Sequence, residues 1–324
     1  LHPAVEGAPF HRFFLETIRR RPKTAGAHHP LGDDRAPPSG DRGVAIGAAA
    51  MADAFRRISR QFRGGPMEWI ELKKSEGVAT LTLNRPESRN ALSLDVMKET
   101  LRVLHEIETD SETRVLVIQG AGPAFCAGHD LREIREAEGD VHRLRAVFST
   151  CSEMMLTLHR LPQPVIARVH GIAAAAGCQL VAACDLAVAE SGARFSTPGV
   201  RIGLFCVTPM VPLVRVIGRR RAMEMLLSGR FVGAAEAREF GLVNRVVEPD
   251  RLDEETARFA AELAAFSGFT LGFGKRAFYE QVEMAEPEAY AAAKEAMALN
   301  SLAADAREGI GAFLEKRTPN WKHR

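Results

Sequence analysis

Twice in this chain a short apolar run stops at a loop of very small side chains and restarts as a helix. The first run, Val115 to Gln119, ends in Gly120-Ala121-Gly122-Pro123 and continues as Phe125-Cys126-Ala127-Gly128-His129-Asp130-Leu131. A polar, helix-like segment follows from Arg132. The second run, Pro164 to Val169, passes into His170-Gly171-Ile172-Ala173-Ala174-Ala175-Ala176 and then the helical pattern Gly177-Cys178-Gln179-Leu180. Apolar runs of about four to eight residues bounded by turn signals read as buried strands, and strands that recur with helices build an α/β core. Where a strand ends in glycine and alanine, main-chain N–H groups stay uncovered. Paired N–H donors can hold the negative charge that develops on a carbonyl oxygen. Two such loops point to chemistry on a carbonyl.

The rest of the pattern fits the same plan. Trp69 to Lys73 and Val78 to Leu83 read as a hairpin across Ser75-Glu76-Gly77, ended by Asn84-Arg85-Pro86. Ser93 is placed to cap a helix with Val96, Met97, Leu101, Leu104 and Ile107 on one face. A longer helix spans Leu144 to His159, Asp185 to Ala189 is a strand, and Arg220 to Leu227 and Ala234 to Phe240 are helices. Val243 to Val247 is a last short strand. Beyond Pro249 the spacing predicts helices over Leu252 to Phe266, Gly272 to Val282, Pro287 to Leu302 and Asp305 to Lys316. Alanine-rich amphipathic helices there need something to pack on, and a partner subunit can supply it. The chain thus divides into an N-terminal extension (1–66), an α/β core (67–250) and a helical C-terminal region (251–324).

The 324 residues are 46% hydrophobic, enough for a sizeable core, and a net charge of +2 makes no general case for nucleic acid or membrane binding. No run of about eighteen apolar residues exists to span a bilayer. The five cysteines form no CxxC pair and leave one over, which reads as buried thiols in a reducing compartment. His and Cys never cluster at ligand spacing, so no metal site is expected. Residues 1–66 hold seven of the 17 prolines, many arginines and no periodicity, and are expected to be disordered. The arginines invite a mitochondrial transit reading. However, Glu6, Glu16, Asp33, Asp34, Asp41 and Asp53 are many acids for one, and serine is scarce. An upstream extension or disordered tail is the favoured reading, with Met51 or Met67 as a plausible natural start.

Several pieces recur in a telling order. They are Leu83-Asn84-Arg85-Pro86 with Arg89-Asn90-Ala91-Leu92-Ser93, the Phe125 to Leu131 loop, Pro164-Val165-Ile166-Ala167, Gly171 to Leu180, and Cys184-Asp185-Leu186-Ala187-Val188-Ala189. Gly241-Leu242-Val243 and Glu308-Gly309 to Arg317 complete the set. Together they resemble the enoyl-CoA hydratase/isomerase (crotonase) superfamily from about residue 68 to the C-terminus. The resemblance implies an α/β fold with a crotonase-type ββα superhelix core, a helical C-terminal trimerisation region, and an acyl-CoA bound with its thioester carbonyl in an oxyanion hole. By position, the two donors are the backbone N–H groups of His129 and Ala176. Ala91, Leu92 and Ala127 fall where the family holds CoA through main chain, and Arg89 and Lys275 are weaker candidates for the pyrophosphate. No cofactor beyond coenzyme A, as part of the substrate, is implied. A homotrimer or a dimer of trimers is expected, in the cytoplasm of a bacterium, or in the mitochondrial matrix if the N-terminal segment is a transit peptide.

The resemblance also implies a departure. Hydratases of the family add water with two glutamates, and the matching positions here are Gln179 and Gly199. Neither exchanges a proton near pH 7, and such groups are each worth roughly 10²–10⁴-fold. Decarboxylation of a malonyl-type thioester, isomerisation or hydrolysis therefore fits better than hydration, and restoring both glutamates should create some crotonyl-CoA hydration. The His129 side chain can serve as acid or base near neutrality, or simply pack outward. Cys206, in a stretch that lines the family's pocket, is a nucleophile or an inert buried thiol. Glu133 reads as solvated, Asp130 and Asp185 as loop-holding or capping groups, and His170 as a structural hydrogen-bonder. Three functions remain: an acyl-CoA enzyme working through an enolate, a non-catalytic acyl-CoA binding or regulatory protein, and a trimeric scaffold for an unrelated interaction. The near-neutral charge argues against the last.

Overall fold

The hairpin forms as expected: β1 (Ile70–Ser75) pairs antiparallel with β2 (Val78–Leu83), turned by Glu76 and Gly77 at positive φ. The computed structural model describes residues 68–323, so the disorder expected of residues 1–66 lies outside the described residues. Ser93 caps α1 (Leu94–Glu108) by accepting the Val96 N–H at 3.3 Å. The buried face of α1 carries Val96, Met97, Val103, Leu104 and Ile107, with Leu101 half-buried at its margin. Then follow β3 (Val115–Gly120), α2 (Leu131–Glu136), α3 (Val141–Arg160), β4 (Val165–Val169), β5 (Ile172–Ala174), α4 (Ala176–Ala183), β6 (Leu186–Glu190) and β7 (Arg194–Ser196). The chain continues through α5 (Met210–Ile217), α6 (Arg219–Ser228), β8 (Val232–Gly233), α7 (Ala234–Phe240) and β9 (Arg245–Val247). It closes with α8 (Leu252–Ala264), α9 (Gly268–Gln281), α10 (Glu286–Ser301) and α11 (Ala304–Glu315).

The main sheet has six strands in the order β1-β2-β3-β4-β6-β9, parallel from β2 onward. Strand β3 shows why its sequence is a continuous apolar run rather than an alternating one. Leu116 and Ile118 face the large core that contains residues of α1 and α3, while Val115 and Val117 face a second layer with Leu252 and Ala260 of α8. Helices cover both faces, so Val115 to Ile118 are all inside. Burying each such side chain stabilises the fold by about 1.5–3 kcal/mol. Helix α8 lies beyond the boundary expected at residue 250, yet it covers one face of the sheet.

A second sheet, β5-β7-β8, was not legible in the sequence. Its strands are two or three residues long, too short to show a period, and they depend on pairing across the chain. Helix α5 was also missed. Pro212 argues against a helix, but it sits in the first turn, where its absent N–H has no partner to lose.

Candidate active site

Parallel strands β3 and β4 end at the same edge of the sheet, so the loops that follow them emerge side by side, as do ligand-binding loops of open α/β sheets generally. Main-chain hydrogen bonds lace them together. Phe125 N–H donates to the His170 carbonyl at 3.0 Å, Cys126 N–H to Ile172 at 3.1 Å, and Ala174 N–H back to Cys126 at 2.9 Å. The loop after β2 closes on the other side: Leu92 N–H donates to Gly128 at 2.8 Å, Asp130 N–H to Leu92 at 3.1 Å, and Ala127 N–H to Arg89 at 2.9 Å. Buried Asn90 is the clasp of this arrangement. Its Oδ1 accepts the Arg85 N–H at 2.9 Å, and its Nδ2 donates to the Ala121 and Ala124 carbonyls, each at 2.8 Å. Sequence reasoning missed the clasp because the carbonyls that Asn90 Nδ2 reaches lie more than thirty residues away.

This lacing leaves several N–H groups open, those of His129 and Ala176 among them. Among the described residues, the His129 and Ala176 N–H groups donate to nothing. Gly128, at φ +100°, brings the loops into contact: a Cβ there would lie 2.8 Å from Ala175 Cβ and 3.2 Å from Ala176 N. Ala175 turns the chain into α4 through a positive φ of 49°, held by its N–H to the Ser196 carbonyl at 2.9 Å. Ala176 opens α4, whose eight residues are all buried, and a helix N-terminus favours negative charge. The two backbone positions read from the sequence are thus brought together.

The side chains around this point are neutral. The His129 ring packs edge-on against Phe148 of α3, centroids 5.3 Å apart, and neither ring nitrogen has a hydrogen-bond partner. Desolvation lowers its pKa below the ordinary 6.5; the nearby Leu92 main chain, short of a well-formed hydrogen bond, offsets part of this. Gln179 on α4 is buried, with Oε1 4.0 Å from Cys151 Sγ. Gly199 is buried in a 3₁₀ turn, Pro198–Ile202. A Cβ on Gly199 would sit 2.2 Å from the Leu204 carbonyl and 2.8 Å from Cys206 Sγ. The space a side chain would enter at 199 is therefore filled by the following loop. Restoring the two glutamates would therefore require the 200–206 loop to shift before a side chain at 199 could enter the site. Burial pushes the Cys206 thiol up, so the residue is a poor nucleophile.

Other candidates are placed as follows. Ala91 and Leu92 spend their main-chain groups internally, the Ala91 carbonyl accepting from Arg85 Nη1 at 3.2 Å, whereas the Ala127 carbonyl has no partner among the described residues. Arg89 is exposed on the same loop. Lys275 does not reach toward a pyrophosphate. It is buried against Asp185 at 2.6 Å and donates to the Leu158 and Gln163 carbonyls. Asp185 also accepts from Val165 N–H and the Tyr279 hydroxyl, so it holds a loop. Glu133 is not simply solvated: it accepts the Leu94 N–H at 2.9 Å, at the start of α1. Asp130 caps α2, and His170 Nε2 bonds the Gly122 carbonyl at 2.8 Å. Cavities of about 240 and 410 Å³ lie elsewhere, one at the start of α9 beside Arg114 and Gln163, the other between the sheet and α8. Beside Gly199 the surface is an open apolar face with Leu204, Phe205 and Val207 exposed. Among the described residues no three His, Cys, Asp or Glu side chains group as a metal site, and no helix is long and apolar enough to cross a membrane.

A parallel sheet that delivers two small-residue loops with open N–H groups to one edge fits the crotonase fold class, which the solved structures below share. The model of the enoyl-CoA hydratase/isomerase family matches residues 73–324, and the chain belongs to that family, which sets it among the acyl-CoA enzymes. It is 44% identical over 254 residues to the mitochondrial enoyl-CoA hydratase domain-containing protein 3 of Rattus norvegicus, covering 78% of this chain and 83% of that one. The crystal structure of an enoyl-CoA hydratase from Mycobacterium smegmatis superposes with a TM-score of 0.77 at 47% identity, covering 79% of this chain and 99% of that one. That of human enoyl-CoA hydratase domain-containing protein 3 gives 0.76 at 41% identity, covering 78% and 100%.

Proposed function

We propose that the chain binds an acyl-CoA thioester with its carbonyl oxygen between the N–H groups of His129 and Ala176, and stabilises the enolate formed from it. The observation that carries this reading is the pair of uncommitted N–H groups on two loops held in contact at Gly128. Charge on the thioester oxygen grows toward the transition state, so fixed donors help more there than in the ground state. Each is worth about 2.7–4 kcal/mol. Gln179 and Gly199 take the family's glutamate positions, which leaves no carboxylate to activate water. Decarboxylation, isomerisation or hydrolysis is therefore favoured over hydration. In a decarboxylation the C–C electron pair passes into the enolate and CO₂ leaves, so the donors matter before any proton moves. Coenzyme A enters only as part of the substrate, held at the open Ala127 carbonyl, with Ala91 and Leu92 shaping the loop beside it.

A second reading, an acyl-CoA binding or regulatory protein without turnover, is favoured by the neutral side chains around the donors and the filled space at Gly199. One panel separates the two. Malonyl-, methylmalonyl-, crotonyl- and simple acyl-CoAs are offered to the full chain and to Gln179→Ala. Turnover of a thioester that the variant loses supports the enzyme; tight binding with no turnover across the panel leaves the binding protein.

The assembly proposed is a homotrimer or a dimer of trimers. Helix α10 buries none of its 16 residues, and Leu302, Phe313 and Leu314 are 70%, 83% and 74% exposed. Apolar surface of that extent marks an interface. The mitochondrial designation of the enoyl-CoA hydratase domain-containing protein 3 relatives supports the mitochondrial option of the two expected, and the bacterial cytoplasm gains no such support from them.

A further inference from the structure

Beyond α11 the last described residues, 318–323, turn back across the C-terminal helices as a strap. Asn320 N–H donates to Glu308 at 2.7 Å, Trp321 Nε1 to the Ala265 carbonyl at 2.9 Å, and Lys322 N–H to Asp305 at 2.6 Å. The Trp321 indole lies over Gly309, where an added Cβ would meet it at 3.0 Å. Buried Asp305 on α11 also accepts from Ser267, the residue that caps α9, at 2.5 Å. The strap ends on His323, which lines the cavity of about 240 Å³ at the start of α9.

Among the described residues, the His323 ring meets only donors at hydrogen-bond distance. The Gly268 N–H, at the start of α9, donates to Nδ1 at 3.0 Å. Arg114 Nη1, just before β3, lies 2.6 Å from Nε2 and 3.2 Å from Nδ1. A guanidinium never accepts, and a neutral imidazole offers one lone pair. Protonation removes that lone pair and sets two cations side by side, next to a helix N-terminus that favours negative charge. Asp305 is the carboxylate nearest in the network, but Ser267 and the Lys322 N–H each hold one of its oxygens. Glu108 and Asp110 line the same cavity, and Asp110 is bound to Lys74 and Thr113. Lys322, beside His323 in the chain, is exposed. Burial and the Arg114 charge hold the ring's pKa below the ordinary 6.5, and Asp305 offsets part of this.

We propose that this strap is a pH-operated latch on the C-terminal helices. With His323 neutral it ties α9 and α11 to the core beside Arg114; with His323 protonated the ring leaves the cavity and the strap lets go. The open strap binds the proton more readily than the closed one, so closure is complete above the ordinary value of 6.5 and is lost as pH falls below it. Glu308, which also holds the strap, keeps its charge to a far lower pH of about 2.

Tryptophan fluorescence of the full chain tests this. Its two tryptophans are Trp69 and Trp321, so Trp69→Phe is the parent for the assay and reports Trp321 alone. Between about pH 8 and about pH 5, either side of the ordinary histidine value, its emission shifts reversibly to the red as the indole leaves Gly309 for water. The midpoint lies below 6.5. His323→Gln, whose carboxamide oxygen accepts a hydrogen bond at every pH, abolishes the shift. Arg114→Gln removes the opposing cation and raises the midpoint, and it serves as the second variant if His323→Gln does not fold. A parent with no shift over that range overturns the latch. So does a shift that survives in His323→Gln, or a midpoint that Arg114→Gln leaves in place.

Discussion

Gly128→Ala is the sharpest single perturbation of the proposed site, because one methyl group would be forced between its two halves. The added Cβ would lie 2.8 Å from Ala175 Cβ, 2.9 Å from the Ala174 carbonyl and 3.2 Å from Ala176 N. Two of these contacts are with main chain, which cannot swing away as a long side chain can. The backbone at φ +100° is also a conformation that alanine resists. Strain of about 1–3 kcal/mol adds to overpacking of about 1–3 kcal/mol, so a loss near 3 kcal/mol is expected after partial relaxation. That leaves a domain of ordinary stability folded. Relaxation parts the loops, and displacing one donor lowers kcat by about 10²–10³. Gly139→Ala is the control: its φ is +80°, yet nothing lies within 4 Å of its Cβ, so it carries strain without the wedge. Urea denaturation and thioester turnover are measured on both variants. If Gly128→Ala matches Gly139→Ala in stability and in kcat, the contact between the loops does not position the donors.

Gly199→Glu should destabilise the protein by about 1–3 kcal/mol or more, because its Cβ meets the Leu204 carbonyl at 2.2 Å. Gln179→Glu combined with it should yield no crotonyl-CoA hydration, read as loss of enoyl absorbance; clear hydration by the double variant would show that the 200–206 loop yields readily. Glu308, held by Arg317 and the Asn320 N–H, has its pKa lowered from 4.5 to about 2. Its contribution to stability is complete above its ordinary value and is lost as pH falls from about 4.5 to about 2. Glu308→Gln should therefore flatten that part of the acid limb in a denaturation series, and an unchanged limb would contradict the pairing. Light scattering should give three or six times the 35.4 kDa protomer mass, and a monomer at micromolar concentration would leave the exposed C-terminal helices unexplained.

What the sequence revealed was what is local. Val115 to Ile118 and Val165 to Ala167 are unbroken apolar runs because both sheet faces are covered there, and Ser93 caps its helix three residues away. The positions of His129 and Ala176 came from the resemblance to the family, and the small residues around them agree with it. What escaped depends on partners far along the chain. Ile172–Ala174 is a strand because Ala173 bridges Cys126 and the strand pairs with β7, not because of its own composition. Glu133 looked solvated because the Leu94 N–H it accepts is 39 residues earlier. Lys275 looked like a surface cation because Asp185 is distant in sequence. Gly199 could be aligned with a glutamate position, but only coordinates show that the Leu204 carbonyl blocks a side chain there.

The central claim is that the N–H groups of His129 and Ala176 together hold a thioester oxygen. A crystal structure of the full chain with a non-reactive acyl-CoA analogue tests it most directly. The account places the thioester oxygen about 2.7–3.1 Å from both nitrogens. An analogue whose thioester oxygen lies away from either nitrogen would contradict it.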